Sequence, residues 1–210
     1  MLRVLVADDH AVVRQGLKGI LLEEFGQVSF GEACDSQELM GAIQKQEWDI
    51  LILDITMPGK SGLDALKEVR QIRPRLPVLV LSMHPEDQFA VRVLRAGAAG
   101  YMTKERAPEE LINAIKKALA GGKYISSSLA ERLAFNLEEE GEKAPHALLS
   151  DREYEVLCMI ASGKTVGEIA DILYLSVKTV STYRARILEK MKMRTNAELT
   201  HYAIKNRLVE

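Results

Sequence analysis

The sequence predicts an α/β protein: a five-stranded parallel sheet with helices on its faces, followed by a small all-α domain of four helices. Three observations predict it. Strand-like and helix-like patterns alternate strictly through the first 120 residues, which implies parallel strands joined by right-handed crossovers. Asp49–Ile55 is a near-continuous apolar run, as a strand of a sheet covered on both faces requires. Beyond residue 148 there is no strand pattern, and only helical spacing recurs.

Taken in order, Leu2–Ala7 is a buried strand, and Ala11–Phe25 a helix with Val12, Leu17, Ile20 and Leu21 on its apolar side. Val28–Ala33 is the second strand. Ser36–Gln46 is a helix that starts from a Ser/Asp cap, with Asp35 as a helix-start residue. Asp49–Ile55 is the third strand, Gly62–Gln71 a helix with Asp64 as a surface charge, Pro77–Ser82 the fourth strand and Glu86–Ala96 a helix. Gly100–Met102 is a short fifth strand. Pro108 opens a helix that runs to Leu119 and stops at Gly121-Gly122. A short helix follows over Ser127–Phe135, and then the acidic, Gly- and Pro-containing stretch Asn136–Pro145, the best linker in the chain. The remaining helices are Asp151–Ser162, Val166–Leu173, Ser176–Met191 and Asn196–Asn206. The expected division is 1–121, a linker with its short helix over 122–147, and 148–210.

Composition narrows the class. Of 210 residues, 47% are apolar and 28% charged, ordinary for a globular protein. No apolar run is long enough to span a bilayer. An acidic pair, Asp8-Asp9, stands where an export signal needs apolar residues. Two cysteines, Cys34 and Cys158, are too few for a disulfide framework or a zinc site. A reduced, cytoplasmic setting is expected. Net charge is −2, but Lys178, Arg184, Arg186, Lys190, Lys192 and Arg194 cluster near the C-terminus against Glu189 alone. That patch suggests a polyanionic partner for the C-terminal part.

In an open parallel sheet the functional site lies at the carboxyl ends of the strands. Asp8 and Asp9 follow the first strand and Asp54 ends the third. Three carboxylates at one rim need a cation or protons to neutralise them, and a hard divalent ion such as Mg²⁺ suits oxygen ligands. Ser82 ends the fourth strand and Lys104 follows the fifth. Carboxylates, a metal, an ammonium and a hydroxyl are the parts that receive a phosphoryl group. His10 follows the acidic pair with no second His or Cys near it and is given no metal role.

On the motifs DDH at 8–10, LDITMPGKSGL at 53–63, LS at 81–82 and GYMTK at 100–104, residues 1–120 resemble a response-regulator receiver domain, which is flavodoxin-like. The resemblance implies that Asp54 is the phosphoacceptor, charged by the phosphohistidine of a sensor histidine kinase. It implies that Asp9, Asp54 and the Thr56 carbonyl ligate Mg²⁺ directly, with Asp8 acting largely through water. Lys104 pairs with the phosphate, Ser82 swings towards it, and Tyr101 turns inward with Ser82. Two positions depart from the common pattern. Glu105 follows Lys104 where many receivers have proline, and Met83 follows Ser82 where many have a small residue. The second departure bears on phosphorylation kinetics.

Val166–Leu173 and Ser176–Met191 are separated by Tyr174-Leu175, a helix-turn-helix spacing. Ser176 is a good cap for the second helix, in which Val177, Val180, Ile187, Leu188 and Met191 are expected to point inward. The opposite face carries Lys178, Ser181, Thr182, Arg184, Ala185 and Arg186, short side chains flanked by basic ones, which suits a DNA major groove. Glu153 and Glu155 are expected to be surface charges on the first C-terminal helix, Asp151–Ser162.

Residues 148–210 resemble the LuxR-type DNA-binding domain of NarL/FixJ-class regulators, on LLSDREYEVL at 148–157, ASGKTVGEIADILYLSVKTVSTYRARILEKM at 161–191 and TNAEL at 195–199. The resemblance implies base contacts by Ser181, Thr182 and Ala185, and backbone or supporting contacts by Lys178, Thr179, Tyr183 and Arg184. Relatives often have Lys where Ser181 stands and His where Tyr183 stands. The implied whole is a non-enzymatic, phosphorylation-activated transcription regulator that binds promoter DNA as a homodimer, with RNA polymerase as a further candidate partner. The competing readings are an aspartyl-phosphate-forming phosphatase and a receiver-based adaptor without DNA binding. Thr56 disfavours the phosphatase, because such enzymes place an acid/base carboxylate two residues after the nucleophile.

Overall fold

The computed structural model describes residues 1–57, 61–83, 85–127, 129–131, 144–206 and 208–209. The chain forms two compact units, Met1–Glu131 and Arg132–Glu210.

The first unit alternates β1 (Leu2–Ala7), α1 (Ala11–Phe25), β2 (Val28–Ala33), α2 (Ser36–Lys45), β3 (Ile50–Asp54), α3 (Gly62–Ile72), β4 (Val78–Ser82), α4 (Glu86–Arg95), β5 (Gly100–Thr103) and α5 (Ala107–Leu119). The strands are all parallel, in the order β2-β1-β3-β4-β5. The strand order reverses between β1 and β3, and the crevice outside their carboxyl ends is where such sheets bind ligands. Every residue of β3 and β4 is buried, which accounts for their unbroken apolar runs. Val4, Val6, Ile50, Ile52, Leu79 and Leu81 form one core with Leu17 and Leu21 of α1 and Leu111 and Ile115 of α5.

Local signals set the element ends. The Asp35 side chain caps α2, accepting hydrogen bonds from the amides of Gln37 and Glu38 at 2.8 Å each. Gly62 opens α3 hard against the end of the β3 loop. A Cβ there would lie 2.3 Å from the Ile55 Cα, so only glycine fits. Asp64 is exposed, as a surface charge should be. Val12 departs from its expected place: it is 85% exposed, and Leu17 and Leu21 carry the buried face of α1. Val12 lies on the side of α1 away from Leu17 and Leu21, and its neighbour Val13 packs against the core in its place.

Ser127 and Leu129–Glu131 are helical, and the rest of the helix expected over 127–135 lies outside the described residues, as does most of the linker. In the second unit a 3-10 turn, Pro145–Leu148, precedes α6 (Asp151–Ala161), α7 (Val166–Ile172), α8 (Val177–Lys190) and α9 (Asn196–Lys205). Side chains of Ser150, Thr165, Ser176 and Thr195 cap the four helices. The α6 helix packs on α8 and α9, and α7 on α8. Tyr174 turns the chain between α7 and α8 at φ 53°, a left-handed conformation that a non-glycine residue adopts at a cost.

Two expectations for this unit are corrected. Glu153 and Glu155 are buried, at 3% and 4% exposure. Glu153 completes a capping box with Ser150 and pairs with Lys190 Nζ at 2.6 Å, and Glu155 pairs with Arg152 at 2.6 Å. Burial works to raise the Glu153 carboxyl, but the bonds from Lys190 and Ser150 hold it below the ordinary glutamate value. Val177, expected inside, is 57% exposed, while Val180, Ile187 and Met191 are buried as expected. As the first residue of α8, Val177 lies ahead of the part that packs on α6 and α7.

Candidate functional site

The rim of the first unit gathers its polar groups because parallel neighbours end together. Asp8 follows β1, Asp54 ends β3 beside it, Ser82 ends β4 and pairs in register with Thr103, and Lys104 comes next. The Lys104 amide donates to the Ser82 carbonyl at 2.8 Å, which extends the ladder by one residue and fixes where the lysine leaves the sheet.

The Lys104 ammonium lies 2.7 Å from Asp8 Oδ2 and 2.7 Å from Asp54 Oδ2. Asp8 and Asp54 are each 1% exposed. Burial works to lower the Lys104 pKa, but the charge and hydrogen bond of Asp54, with the nearby Asp8 carboxylate, outweigh it and hold the ammonium above the usual lysine value. Asp54 Oδ1 accepts from the Thr56 amide at 2.9 Å and the Thr56 hydroxyl at 2.6 Å. Asp8 Oδ1 accepts from the His10 amide at 2.8 Å.

His10, given no role from the sequence, has its ring against both carboxylates. Its Nδ1 is 2.8 Å from Asp9 Oδ1 and 3.2 Å from Asp8 Oδ1. Asp8, Asp9, His10 and Asp54 each offer a ligand atom within 4.8 Å of the others. Three carboxylates with one ammonium leave excess negative charge. Asp8 Oδ2 is fully buried and, though Lys104 is near, takes part in no hydrogen bond of good geometry. A small oxygen-ligated divalent cation fits that donor set.

Ser82 is fully buried and Tyr101 is 1% exposed, so the tyrosine ring already lies inside the sheet-helix interface. Met83 is 64% exposed, turned out to water.

In the second unit, Lys178, Ser181, Thr182, Ala185 and Arg186 of α8 are exposed, and Thr179, Tyr183 and Arg184 half-buried. Arg184 Nε donates to Asn196 Oδ1 at 2.6 Å, which ties α8 to the start of α9. This face is basic and small, set on a helix that Ser176 caps through the Thr179 amide at 3.0 Å.

Comparison with known proteins joins the two surfaces. Residues 4–116 match the response regulator receiver domain, and residues 147–203 match the bacterial regulatory proteins of the luxR family. The chain is 36% identical over 209 residues to the response regulator UvrY of Escherichia coli (strain K12), covering 99% of this chain and 96% of that one. It is 37% identical over 211 residues to the response regulator GacA of Pseudomonas aeruginosa, covering 100% and 99%. Among solved structures it is similar to RcsB from Salmonella enterica serovar Typhimurium bound to promoter rprA in the presence of phosphomimetic BeF3-. There the TM-score is 0.64 and the identity 29%, over 96% of this chain and 98% of that one.

Proposed function

We propose a residue-level mechanism that starts from family membership: this chain belongs to the NarL/FixJ-class response regulators, which join a receiver domain to a LuxR-type DNA-binding domain. It is a DNA-binding transcription regulator activated by phosphorylation within a two-component system. The proposed division is a receiver over 1–121, a linker over 122–147 and a DNA-binding domain over 148–210. The observation that carries the mechanism is the Lys104 ammonium 2.7 Å from both Asp54 and Asp8 at the carboxyl rim of the sheet.

Asp54 attacks the phosphorus of a sensor kinase phosphohistidine. A P–O bond forms, the P–N bond breaks, and the departing imidazole takes up a proton. Thr56 fixes the Asp54 carboxylate for that attack through its amide and hydroxyl. Lys104, already on Asp54, follows the transferred charge and pairs with the phosphoryl oxygens. Ser82 donates to another of those oxygens, and Tyr101 holds the space behind it. Asp9, Asp54 and the Thr56 carbonyl would hold Mg²⁺, with Asp8 bonded to its water. When bound, the ion neutralises charge on the transferring oxygens. The receiver thus assists its own phosphorylation and hydrolysis and turns over no other substrate.

A phosphoryl group adds ~1.5 to 2 negative charges at Asp54, which biases a packed two-state element. The output is assembly. Two chains pair, and two copies of α8 enter promoter DNA at half-sites about one helical turn apart. Ser181, Thr182 and Ala185 face bases, and Lys178, Thr179, Tyr183 and Arg184 hold or support the backbone contacts. RNA polymerase is a further partner of the bound dimer, and the free thiols of Cys34 and Cys158 suit a cytoplasmic setting.

The test is Asp54→Asn incubated with an acyl-phosphate donor and Mg²⁺, with sedimentation and DNA binding measured together. The variant stays unphosphorylated and monomeric while the wild type dimerises and gains affinity. A stable acyl phosphate on Asp54→Asn overturns the assignment.

A further inference from the structure

A helix in the major groove distinguishes base pairs by hydrogen bonds to their edges or by apolar contact with the thymine 5-methyl group. On α8 part of the hydrogen-bonding means is engaged inside the protein. The Thr182 hydroxyl donates to the Lys178 carbonyl of its own helix at 2.9 Å, so the branch left to face outward on this exposed residue is its methyl. The Thr179 hydroxyl lies 2.8 Å from Ser176 Oγ, within the cap. Arg184 Nε is held by Asn196.

Beside its basic residues and Ser181, α8 presents apolar groups. Val177 is 57% exposed at the first helical position, the end that helix-turn-helix proteins lead into the groove. Residues 177, 181 and 185 are four apart and line one face, so Val177 heads the row that continues through Ser181 and Ala185, both exposed. At 57% exposure that branched side chain adds little to the core, which Val180 and Ile187 fill. Ser181 supplies the row's hydroxyl, at the position where relatives often place a lysine.

We infer that α8 reads its operator in part through thymine 5-methyl groups, with Val177, Thr182 and Ala185 as the contacting residues. The inference rests on the DNA-binding reading of α8 and specifies what that surface recognises. It makes Val177 a specificity-determining residue, beyond the positions that the family resemblance supplies.

The test uses the full chain, treated with an acyl-phosphate donor, on a duplex selected by the wild-type protein from random DNA. Each thymine of the selected site is replaced in turn by deoxyuridine, which deletes the methyl and leaves the hydrogen-bonding edge unchanged. At contacted positions the wild-type Kd rises about four-fold per methyl, the worth of one buried methyl-sized group. Val177→Ala loses that sensitivity at one thymine and keeps it elsewhere. Thr182→Ser, which deletes the side-chain methyl, loses it at another, whereas Thr182→Val, which deletes the hydroxyl, retains it. Equal affinity for thymine and deoxyuridine at every position overturns the inference, as does sensitivity lost in Thr182→Val and kept in Thr182→Ser. A wild-type chain that selects no sequence and binds no duplex refutes the DNA-binding reading itself, a different result from intact binding that ignores the methyl groups.

Discussion

Replacing Lys104 with methionine keeps the length of the side chain and removes its charge. The wild-type ammonium, 9% exposed, sits 2.7 Å from one oxygen of each of two buried carboxylates. At an effective dielectric near 20, each contact has a gross attraction of roughly 6 kcal/mol. Withdrawing the ammonium and two carboxylates from water consumes much of that. The raised Lys104 pKa shows that attraction prevails. Removing one partner of such a pair leaves buried charge uncompensated and destabilises by about 3 to 5 kcal/mol. The loss should appear in urea unfolding at neutral pH with a chelator present, followed by the fluorescence of Trp48, the single tryptophan, which lies in the first unit. Mg²⁺ should then stabilise Lys104→Met more than the wild type, because the ion no longer competes with an ammonium for Asp8 and Asp54. At 100 times its Kd a native-state ligand contributes about 2.7 kcal/mol. A methionine variant as stable as wild type in chelator would refute the ion-pair reasoning. A Mg²⁺ gain no larger than wild type's would refute the competition.

Gly62→Ala should destabilise the first unit by roughly 1 to 3 kcal/mol, because a Cβ would stand 2.3 Å from the Ile55 Cα; an unchanged urea midpoint would mean that the loop yields freely. Asp9→Ala should weaken Mg²⁺ binding more than Asp8→Ala, since Asp8 is already engaged by Lys104 and the His10 amide. Equal losses by titration calorimetry would undo that ranking. Alkaline pH should weaken the first unit. Lys104 titrates above its ordinary value, and Tyr124 is pushed up to about 12 by burial and its bond to Glu110. Groups with raised folded pKa values give stability that is whole below the unfolded pKa and lost as pH rises through the folded one. For Tyr124 that window is pH 10.0 to about 12, and Tyr124→Phe should flatten the fall there; an identical curve would dismiss its part.

Most strands and the rim were legible because two independent signals coincide: buried apolar runs mark β1, β3 and β4, and a polar residue stands where each run stops. Asp8, Asp54, Ser82 and Lys104 need no knowledge of loops to be placed, since the register of adjacent parallel strands brings their ends together. Single side chains in first turns were less legible. Val12 is out of phase with Leu17 and Leu21, and Val13 takes the inner place in that turn; Val177 has the right helical spacing, but as the first residue of α8 it stays 57% exposed. Glu153 carried a readable signal, the Ser150-x-x-Glu153 capping box, which places it at a buried helix start where Lys190 can reach it. His10 against Asp8 and Asp9 had none, because it depends on the backbone angles of one residue after β1.

The return of the chain after α5 was equally invisible, and it bears on how a signal leaves the receiver. The Tyr124 amide donates to the Ala99 carbonyl at 2.7 Å, and Tyr124 bridges Gly100 at the edge of β5. The Tyr124 hydroxyl donates to Glu110 of α5 at 2.6 Å, and Leu129 is buried. Ser126 Oγ donates to Glu86, the first residue of α4, at 2.6 Å. These anchors adjoin the switch residues in the chain: Gly100 precedes Tyr101 in β5, and Glu86 stands four residues after Ser82. In the proposed mechanism a shift of Ser82 towards a phosphoryl group acts on Glu86, four residues on, and through it on the Glu86–Ser126 bond. The acidic linker beyond is too polar to carry strain by itself. Its root, however, is fastened to β5 and α4, so in the proposed mechanism the coupling of phosphorylation to the linker runs through those two elements rather than through the covalent exit of α5 alone.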